Sequence, residues 1–85
     1  MLNVYAAKWC PHCTRTIEYL KKCGIAYVYH EIEEEPAAVV DKIIEVNGGE
    51  DWVVPTLEFQ GNWIPGHVFS ESFLEESLKK LGVVK

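Results

Sequence analysis

Basic residues and long apolar runs are scarce in this chain of 85 residues. Lysine and arginine total 8 against 13 aspartates and glutamates, and the net charge of −5 argues against a nucleic-acid partner. No apolar run approaches the roughly 20 residues that cross a bilayer, so we expect no membrane segment. Residues 1–6 lack the basic-then-apolar pattern of a secretory leader, and we therefore expect a cytoplasmic protein.

Cysteine is scarce as well, with three in the whole chain. Hydrophobic residues make up 48% of the sequence, which is enough to form a core without disulfide cross-links. No repeat, linker or low-complexity segment divides the chain, so we expect a single, monomeric domain over residues 1–85. In the reducing cytoplasm a cysteine pair is more often catalytic than structural. The few cysteines are therefore the first candidates for chemistry.

Two of the cysteines form the motif Cys10-Pro11-His12-Cys13, between a strand-like run and a helical pattern. Pro11 suits the first position of a helix, where its missing N–H costs nothing, so Cys10 is predicted to be the N-cap. There its sulfur can accept hydrogen bonds from the backbone N–H groups of His12 and Cys13, at the positive end of the helix dipole. Both effects favour the thiolate, the nucleophilic form. We expect Cys10 to attack a disulfide and Cys13, inside the first turn, to resolve the mixed disulfide.

Two other roles for the pair remain open at this point. A purely structural disulfide fits poorly, because the stabilisation from a disulfide grows with the length of the loop that it closes, and this loop is very short. A Cys-x-x-Cys pair is also half of many zinc sites, which need two further ligands. The remaining candidates, Cys23, His30 and His67, do not stand at a zinc-ligand spacing. We therefore favour redox chemistry and predict no metal site.

Charge is distributed unevenly along the chain. Lys8, His12 and Arg15 flank the cysteines and would form a positive collar, which suits an anionic thiol substrate or an acidic partner. Glutamates are concentrated between residues 31 and 35, ahead of Pro36. We expect this acidic run to be a solvated loop and the start of a helix, because acidic residues are common near the first turn of helices.

Hydrophobic periodicity and turn residues predict the element order β-α-β-α-β-β-α. The first strand, first helix and second strand form a βαβ unit, so these two strands should be parallel. The last two strands should form a β-hairpin. The predicted elements are a strand over 2–6, a helix over 11–23, a strand over 25–31, a helix over 36–46, and strands over 56–59 and 63–64 joined by a turn over 60–62.

The last helix is expected to begin near Ser70 or Ser72. Ser72 forms a capping-box pattern with Glu75, in which each side chain satisfies a free backbone N–H of the other residue. The apolar positions that follow have helical spacing. We expect this helix to bury Phe73, Leu74, Leu78 and Leu81.

This order, with Cys-x-x-Cys at the first strand-to-helix junction and Val54-Pro55-Thr56 before the third strand, resembles the thioredoxin superfamily. Over essentially its whole length, the chain is most similar to glutaredoxins and small glutaredoxin-like redoxins such as mycoredoxins, with anchors at residues 8–13, 46–49 and 54–56. The resemblance implies an α/β thioredoxin fold, in which three helices flank a four-stranded mixed sheet, and a thiol–disulfide oxidoreductase. It implies disulfide-containing protein partners and no tightly bound cofactor. Glutathione or another low-molecular-weight thiol is then a possible co-substrate, and the glutathione system or thioredoxin reductase is the reducing partner.

The resemblance also implies roles for residues outside the cysteine motif. In the family, the proline that matches Pro55 is cis and lies against the active-site disulfide, and the residue that matches Val54 offers its backbone to the substrate. The residue that matches Lys8 contacts a carboxylate of glutathione. Gly66 matches one member of a glycine pair that helps to grip glutathione, whereas Pro65 replaces the other. The resemblance therefore implies a glutathione site that is half preserved.

His12 stands where typical dithiol members of the family have tyrosine. A hydrogen-bond donor or cation beside the thiolate stabilises the reduced state, so we expect a more oxidising pair. The alternative is that His12 points into solvent. Trp9 is expected to pack beside the site and shield it, and Cys23 to be a semi-buried thiol without a role in the chemistry.

Two alternative functions remain open. The chain could bind an iron–sulfur cluster that bridges two copies through Cys10 and an external thiol, as some glutaredoxins do. Pro11 disfavours this function, since the cluster-binding members more often lack that proline. A non-catalytic adaptor with the same fold would require both motif cysteines to be dispensable.

Overall fold

The computed structural model describes residues 1–84. Within this range three α-helices and one four-stranded sheet follow the predicted order. None of these helices is both long and apolar enough to cross a membrane. The elements are β1 (Leu2–Ala6), α1 (Pro11–Lys22), β2 (Tyr27–Glu31), α2 (Ala37–Val46), β3 (Thr56–Phe59), β4 (Asn62–Ile64) and α3 (Glu71–Leu81).

Strand β1 lies inside the sheet, whose strand order is β2-β1-β3-β4. It is parallel to β2 and antiparallel to β3, and β3 is antiparallel to β4. Leu2, Val4 and Ala6 alternate with half-buried residues and are buried at the core, as the period of two in a strand requires. The predicted mixed sheet, with its parallel βαβ unit and antiparallel hairpin, is confirmed.

Helix α1 buries Cys13, Thr16 and Leu20, which lie on one face. The helix ends at Lys22, one residue before the predicted end, and Gly24 follows its C-cap Cys23 with a positive φ of 68°. The N–H groups of Gly24 and Ile25 donate back to carbonyls of the last turn, and this pattern is the Schellman motif. Because the N–H of Ile25 is used in this cap, β2 begins two residues later than predicted.

The acidic run between β2 and α2 is more ordered than a solvated loop. Residues Ile32–Glu34 form a short 3₁₀ turn, and Ile32 is buried in the core. Pro36 precedes α2 as its N-cap instead of being its first helical residue. Glu33 and Glu34 are exposed, as a solvated run requires. The prediction of a loop that leads into the helix start is wrong, because Ile32 holds the run against the core and α2 begins only after Pro36.

The hairpin between β3 and β4 turns over two residues. Gln60 and Gly61 both have positive φ, 50° and 85°, as the tight turns that match the twist of a hairpin require. Asn62 belongs to β4 and pairs with Phe59, so the turn is one residue shorter than predicted.

Helix α3 is capped by Ser70, whose side chain accepts a hydrogen bond from the N–H of Phe73. The capping box predicted from Ser72 is therefore not the start of the helix. Leu74, Leu78 and Leu81 are buried as predicted, but Phe73 is 36% exposed. The buried position that the pattern missed is Ser77, whose hydroxyl donates to the carbonyl of Phe73 within the helix.

The cap of α3 gives the first testable prediction. Ser70→Ala removes the acceptor for the N–H of Phe73 and should lower the free energy of unfolding by about 1 kcal/mol. Ser72→Ala is the matched control, since it removes only the exposed contact between the hydroxyls of Ser72 and Ser70 at 3.2 Å and leaves the acceptor for Phe73 in place. It should cost less than about 0.5 kcal/mol. Urea denaturation measures both values. A larger loss for Ser72→Ala would show that the helix begins two residues later.

Candidate functional site

Cys10 lies between β1 and α1, at the position predicted for an N-cap. Its N–H donates to the carbonyl of Ala7 at 3.1 Å, and its carbonyl accepts from the N–H of Thr14 at 3.1 Å and the hydroxyl of Thr14 at 3.3 Å. The backbone of Cys10 is thus fixed from both sides. Its sulfur makes no capping hydrogen bond to the helix, so that part of the prediction is wrong.

The sulfur of Cys10 faces a second segment of the chain instead. Its thiol donates to the carbonyl of Val54, with 4.0 Å between Sγ and the oxygen. The peptide bond from Val54 to Pro55 is cis, and Pro55 is buried. The structure therefore brings together the motif cysteine and the segment that sequence analysis singled out 44 residues further along the chain.

Cys13 is the more deeply enclosed thiol, with 2% of its surface exposed against 6% for Cys10. The pKa of Cys13 is raised from an ordinary value of 9.0 to about 12, chiefly by burial. The hydrogen bond to Cys10 and the charges of Cys10 and Glu31 act in the same direction, and a hydrogen bond to the backbone of Ala7 opposes them. Cys13 is therefore protonated at neutral pH. Both cysteines are thiols in this structure, and Cys13 is held as a proton donor beside Cys10.

His12 connects α1 to the segment before α3. Its Nδ1 accepts a hydrogen bond of 3.0 Å from the backbone N–H of Phe69, so this nitrogen carries a lone pair and the proton of the neutral ring is on Nε2. The ring is half-buried, and the alternative that it points freely into solvent is wrong. Protonation of Nδ1 would break this link.

The acidic turn holds the loop that carries Lys8 and Trp9. Glu31 accepts from the backbone N–H of Lys8 at 3.0 Å, and Glu33 accepts from the indole N–H of Trp9 at 2.9 Å. A third glutamate, Glu35, pairs with the imidazole of His30 at 3.0 Å. The predicted positive collar thus has carboxylates directly beside it, which offset part of its charge.

Trp9 does not shield the cysteines in the way that its position suggested. Its side chain is 63% exposed and is fixed at its edge by Glu33. It therefore presents an apolar face to solvent one residue before Cys10. Pro11, on the other side of Cys10, is exposed as well.

Asn47 is the site residue whose role sequence reasoning missed, since it stands among the anchor residues 46–49 of the family resemblance without any role for its side chain. Its side-chain amide donates to the carbonyl of Ile43 at 2.8 Å and to the hydroxyl of Thr56 at 3.0 Å. Its side-chain oxygen accepts from the N–H of Gly66 at 2.7 Å. The hydroxyl of Thr56 in turn donates to the carbonyl of Val53 at 2.6 Å. A polar side chain after a helix stop gives no signal of such distant partners.

Gly66 has a packing reason to be glycine. A Cβ at this position would overlap the side chain of Val53 and lie 3.0 Å from its backbone carbonyl carbon. The backbone of Gly66 therefore approaches Val53 more closely than any other residue type would allow. This contact exists without any bound thiol.

The other residues that were considered lie apart from the cysteine pair. Cys23 is exposed at the far end of α1, roughly 20 Å along the helix from Cys10, and is not semi-buried. His67 is exposed, and its ring stacks on Phe73 with 3.8 Å between the ring centres. Over residues 1–84, no three histidine, cysteine, aspartate or glutamate side chains are grouped closely enough to hold a metal ion.

A buried cysteine pair at the start of the first helix, opposite a segment that contains proline, defines a thioredoxin-fold protein of the Cys-x-x-Cys class. The glutaredoxin family model matches residues 2–64, which is more than half of the chain. The chain therefore belongs to the glutaredoxin family. Glutaredoxins as a family are thiol–disulfide oxidoreductases that work with glutathione or other thiols.

Solved structures support the same fold. The chain is similar to the glutaredoxin grx-1 of Archaeoglobus fulgidus, with 27% identity and a TM-score of 0.66 over 94% of this chain and 83% of that one. A thioredoxin-like protein is 22% identical, with a TM-score of 0.66 over 95% of this chain and 99% of that one. Wheat glutaredoxin is 19% identical, with a TM-score of 0.61 over 96% and 73%. A search of curated proteins gave no match.

The raised pKa of Cys13 predicts that the reduced protein loses stability at high pH. The native state keeps this proton after the unfolded chain has lost it, so the stabilising contribution is complete below the ordinary value of 9.0 and is lost as the pH rises toward about 12. Urea titrations between about pH 8 and 11 should show a steeper loss in the reduced wild type than in Cys13→Ala. Tyr5 and Tyr19, whose pKa values are raised chiefly by burial, contribute equally to both curves. Parallel curves would contradict the prediction.

Proposed function

We propose that this protein is a dithiol–disulfide oxidoreductase that reduces protein disulfides or mixed disulfides with low-molecular-weight thiols. The observation that carries the proposal is the arrangement of three groups: Cys10 at the start of α1, the carbonyl of Val54 facing its sulfur, and Cys13 protonated one turn into the helix. Membership of the glutaredoxin family supports the same chemistry.

In the first step the thiolate of Cys10 attacks one sulfur of the substrate disulfide. A new S–S bond joins Cys10 to the substrate, the original S–S bond breaks, and the second substrate sulfur leaves as a thiolate that takes a proton. The position of Cys10 at the start of α1 places the attacking thiolate near the positive pole of the helix dipole.

In the second step Cys13 resolves the mixed disulfide. It gives up its proton and attacks the sulfur of Cys10. The Cys10–Cys13 disulfide forms, the bond between Cys10 and the substrate breaks, and the substrate sulfur that was bonded to Cys10 leaves and takes a proton. Two electrons have then moved from the cysteine pair to the substrate. An external thiol or a reductase returns them. The high pKa of Cys13 keeps it protonated until the mixed disulfide has formed.

The surface around Cys10 supports a polypeptide as one class of substrate. Val54 would pair its backbone with an extended peptide, as strand addition does elsewhere. Trp9, Val53 and Val68, which are neighbours of site residues along the chain, are exposed apolar side chains. We propose that Lys8, Pro11 and His12 complete this substrate surface. The contact of Gly66 with Val53 supports the shape of the surface whether or not glutathione binds.

Turnover of a mixed disulfide with NADPH tests the proposal. The wild type is assayed in two parallel arms, one with glutathione and glutathione reductase and one with thioredoxin reductase. We expect activity in at least one arm, complete loss in Cys10→Ser, and, in the glutathione arm, residual activity in Cys13→Ser, because glutathione can resolve the mixed disulfide in place of Cys13.

Cys23→Ser is the matched control and should keep wild-type activity, since this thiol lies at the far end of α1. Activity that survives in Cys10→Ser would overturn the assignment of the nucleophile. A wild type that is inactive in both arms would exclude glutathione and thioredoxin reductase as electron donors, and would point to another low-molecular-weight thiol or to the iron–sulfur function.

The reduction potential tests the role of His12. A donor beside the thiolate stabilises the reduced pair, so His12→Tyr should lower the potential, by about 30 mV for each 1.4 kcal/mol of stabilisation that is lost. Equilibration with glutathione redox buffers measures the potential. An unchanged or higher value in His12→Tyr would mean that the link from His12 to Phe69 serves the fold alone.

A further inference from the structure

The segment that carries Val54 contains no regular secondary structure until β3 begins at Thr56. Its position against Cys10 must therefore be fixed by side chains. Thr56 is fully buried, with 0% of its surface exposed, and its hydroxyl reaches back to the carbonyl of Val53 at 2.6 Å. This hydrogen bond closes residues 53–56 into a tight unit with Val54 inside it.

Asn47 fixes this unit to the rest of the molecule. One donor of its amide goes to the hydroxyl of Thr56 and the other to the carbonyl of Ile43 in the last turn of α2. Its oxygen holds the N–H of Gly66, and the backbone of Gly66 packs directly on Val53. A single side chain thus joins the end of α2, the unit of residues 53–56 and the segment after β4.

We infer that Asn47 is a positioning residue for peptide substrates: it sets where the backbone of Val54 stands relative to Cys10. The inference rests on the proposed function and deepens it. It means that Asn47, which contacts neither the substrate nor Cys10, allows the protein to distinguish peptide disulfides from other disulfides. Loss of Asn47 frees the unit of residues 53–56 to move, and small displacements of a docking group are costly for a reaction that depends on orientation.

The test is stoichiometric exchange with two disulfides activated by thionitrobenzoate, one carrying a cysteine peptide and one carrying 2-mercaptoethanol. Both react in the same way: the thiolate of Cys10 bonds to the carrier sulfur and thionitrobenzoate leaves with its electron pair. All proteins carry Cys13→Ser and Cys23→Ser, so that Cys10 alone reacts. The small disulfide has no backbone to pair with Val54 and reports the intrinsic reactivity of Cys10.

In this background Asn47→Ala and Thr56→Val should each slow the reaction with the peptide disulfide about tenfold and that with the small disulfide less than about twofold. Asn47→Asp keeps the acceptor for Gly66 but loses both donors, and it should behave like Asn47→Ala. Ser77→Ala is the matched control, because it also removes one buried hydroxyl bond, within α3, and it should leave the ratio of the two rates unchanged.

Equal slowing of both reactions, or no slowing, would overturn the inference and leave Asn47 with a purely structural role. This result is distinguishable from failure of the proposed function, since single-event exchange at Cys10 requires neither turnover nor a reductase. Urea denaturation of each variant confirms that the rates are compared between folded proteins.

Discussion

The register between β1 and β3 is the constraint on which the rest of the site depends. Tyr5 stands opposite Thr56, and because the two strands are antiparallel, the end of one lies beside the start of the other. The loop that carries Cys10 follows the last residue of β1, and the segment of Val54 precedes the first residue of β3. Both segments therefore lie at the same end of these two strands. A slip of one residue would turn Val4 out of the core and Thr56 away from Asn47. The fully buried Val4 and Thr56 therefore fix the chemistry as well as the packing.

Features that depend on local patterns were predictable from the sequence. The first strand and helix could be predicted from the alternation in β1, from Pro11 at the start of α1 and from Gly24 just after its end. The reactive pair could be predicted from the spacing of Cys10 and Cys13. Features that depend on distant partners were not. The contact of Cys10 with Val54 spans 44 residues and followed only from the family resemblance. The resemblance included Asn47 but did not indicate the partners of its side chain.

The glutamates between β2 and α2 lie closer to the cysteine site than their position in the sequence suggests. From the sequence they belong to a solvated run, well separated from the basic residues around the cysteines. In the fold, Glu31 and Glu33 hold the backbone of Lys8 and the indole of Trp9. Glu31 and Glu33 thus contribute both to the net negative charge of the chain and to the charge near the thiols. An anionic substrate would meet both signs of charge within a few residues of Cys10.

The long separation between β1 and β3 has a consequence for how the protein folds. The βαβ unit is local and can form early, whereas the pairing of β1 with β3 joins residues up to 55 positions apart and carries a larger entropic cost of loop closure. Cys10 and Cys13 are therefore present on a partly formed chain before the segment of Val54 arrives to cover them. During synthesis the two thiols emerge before the segment of Val54, and they are open to solvent until the last third of the chain has folded onto them.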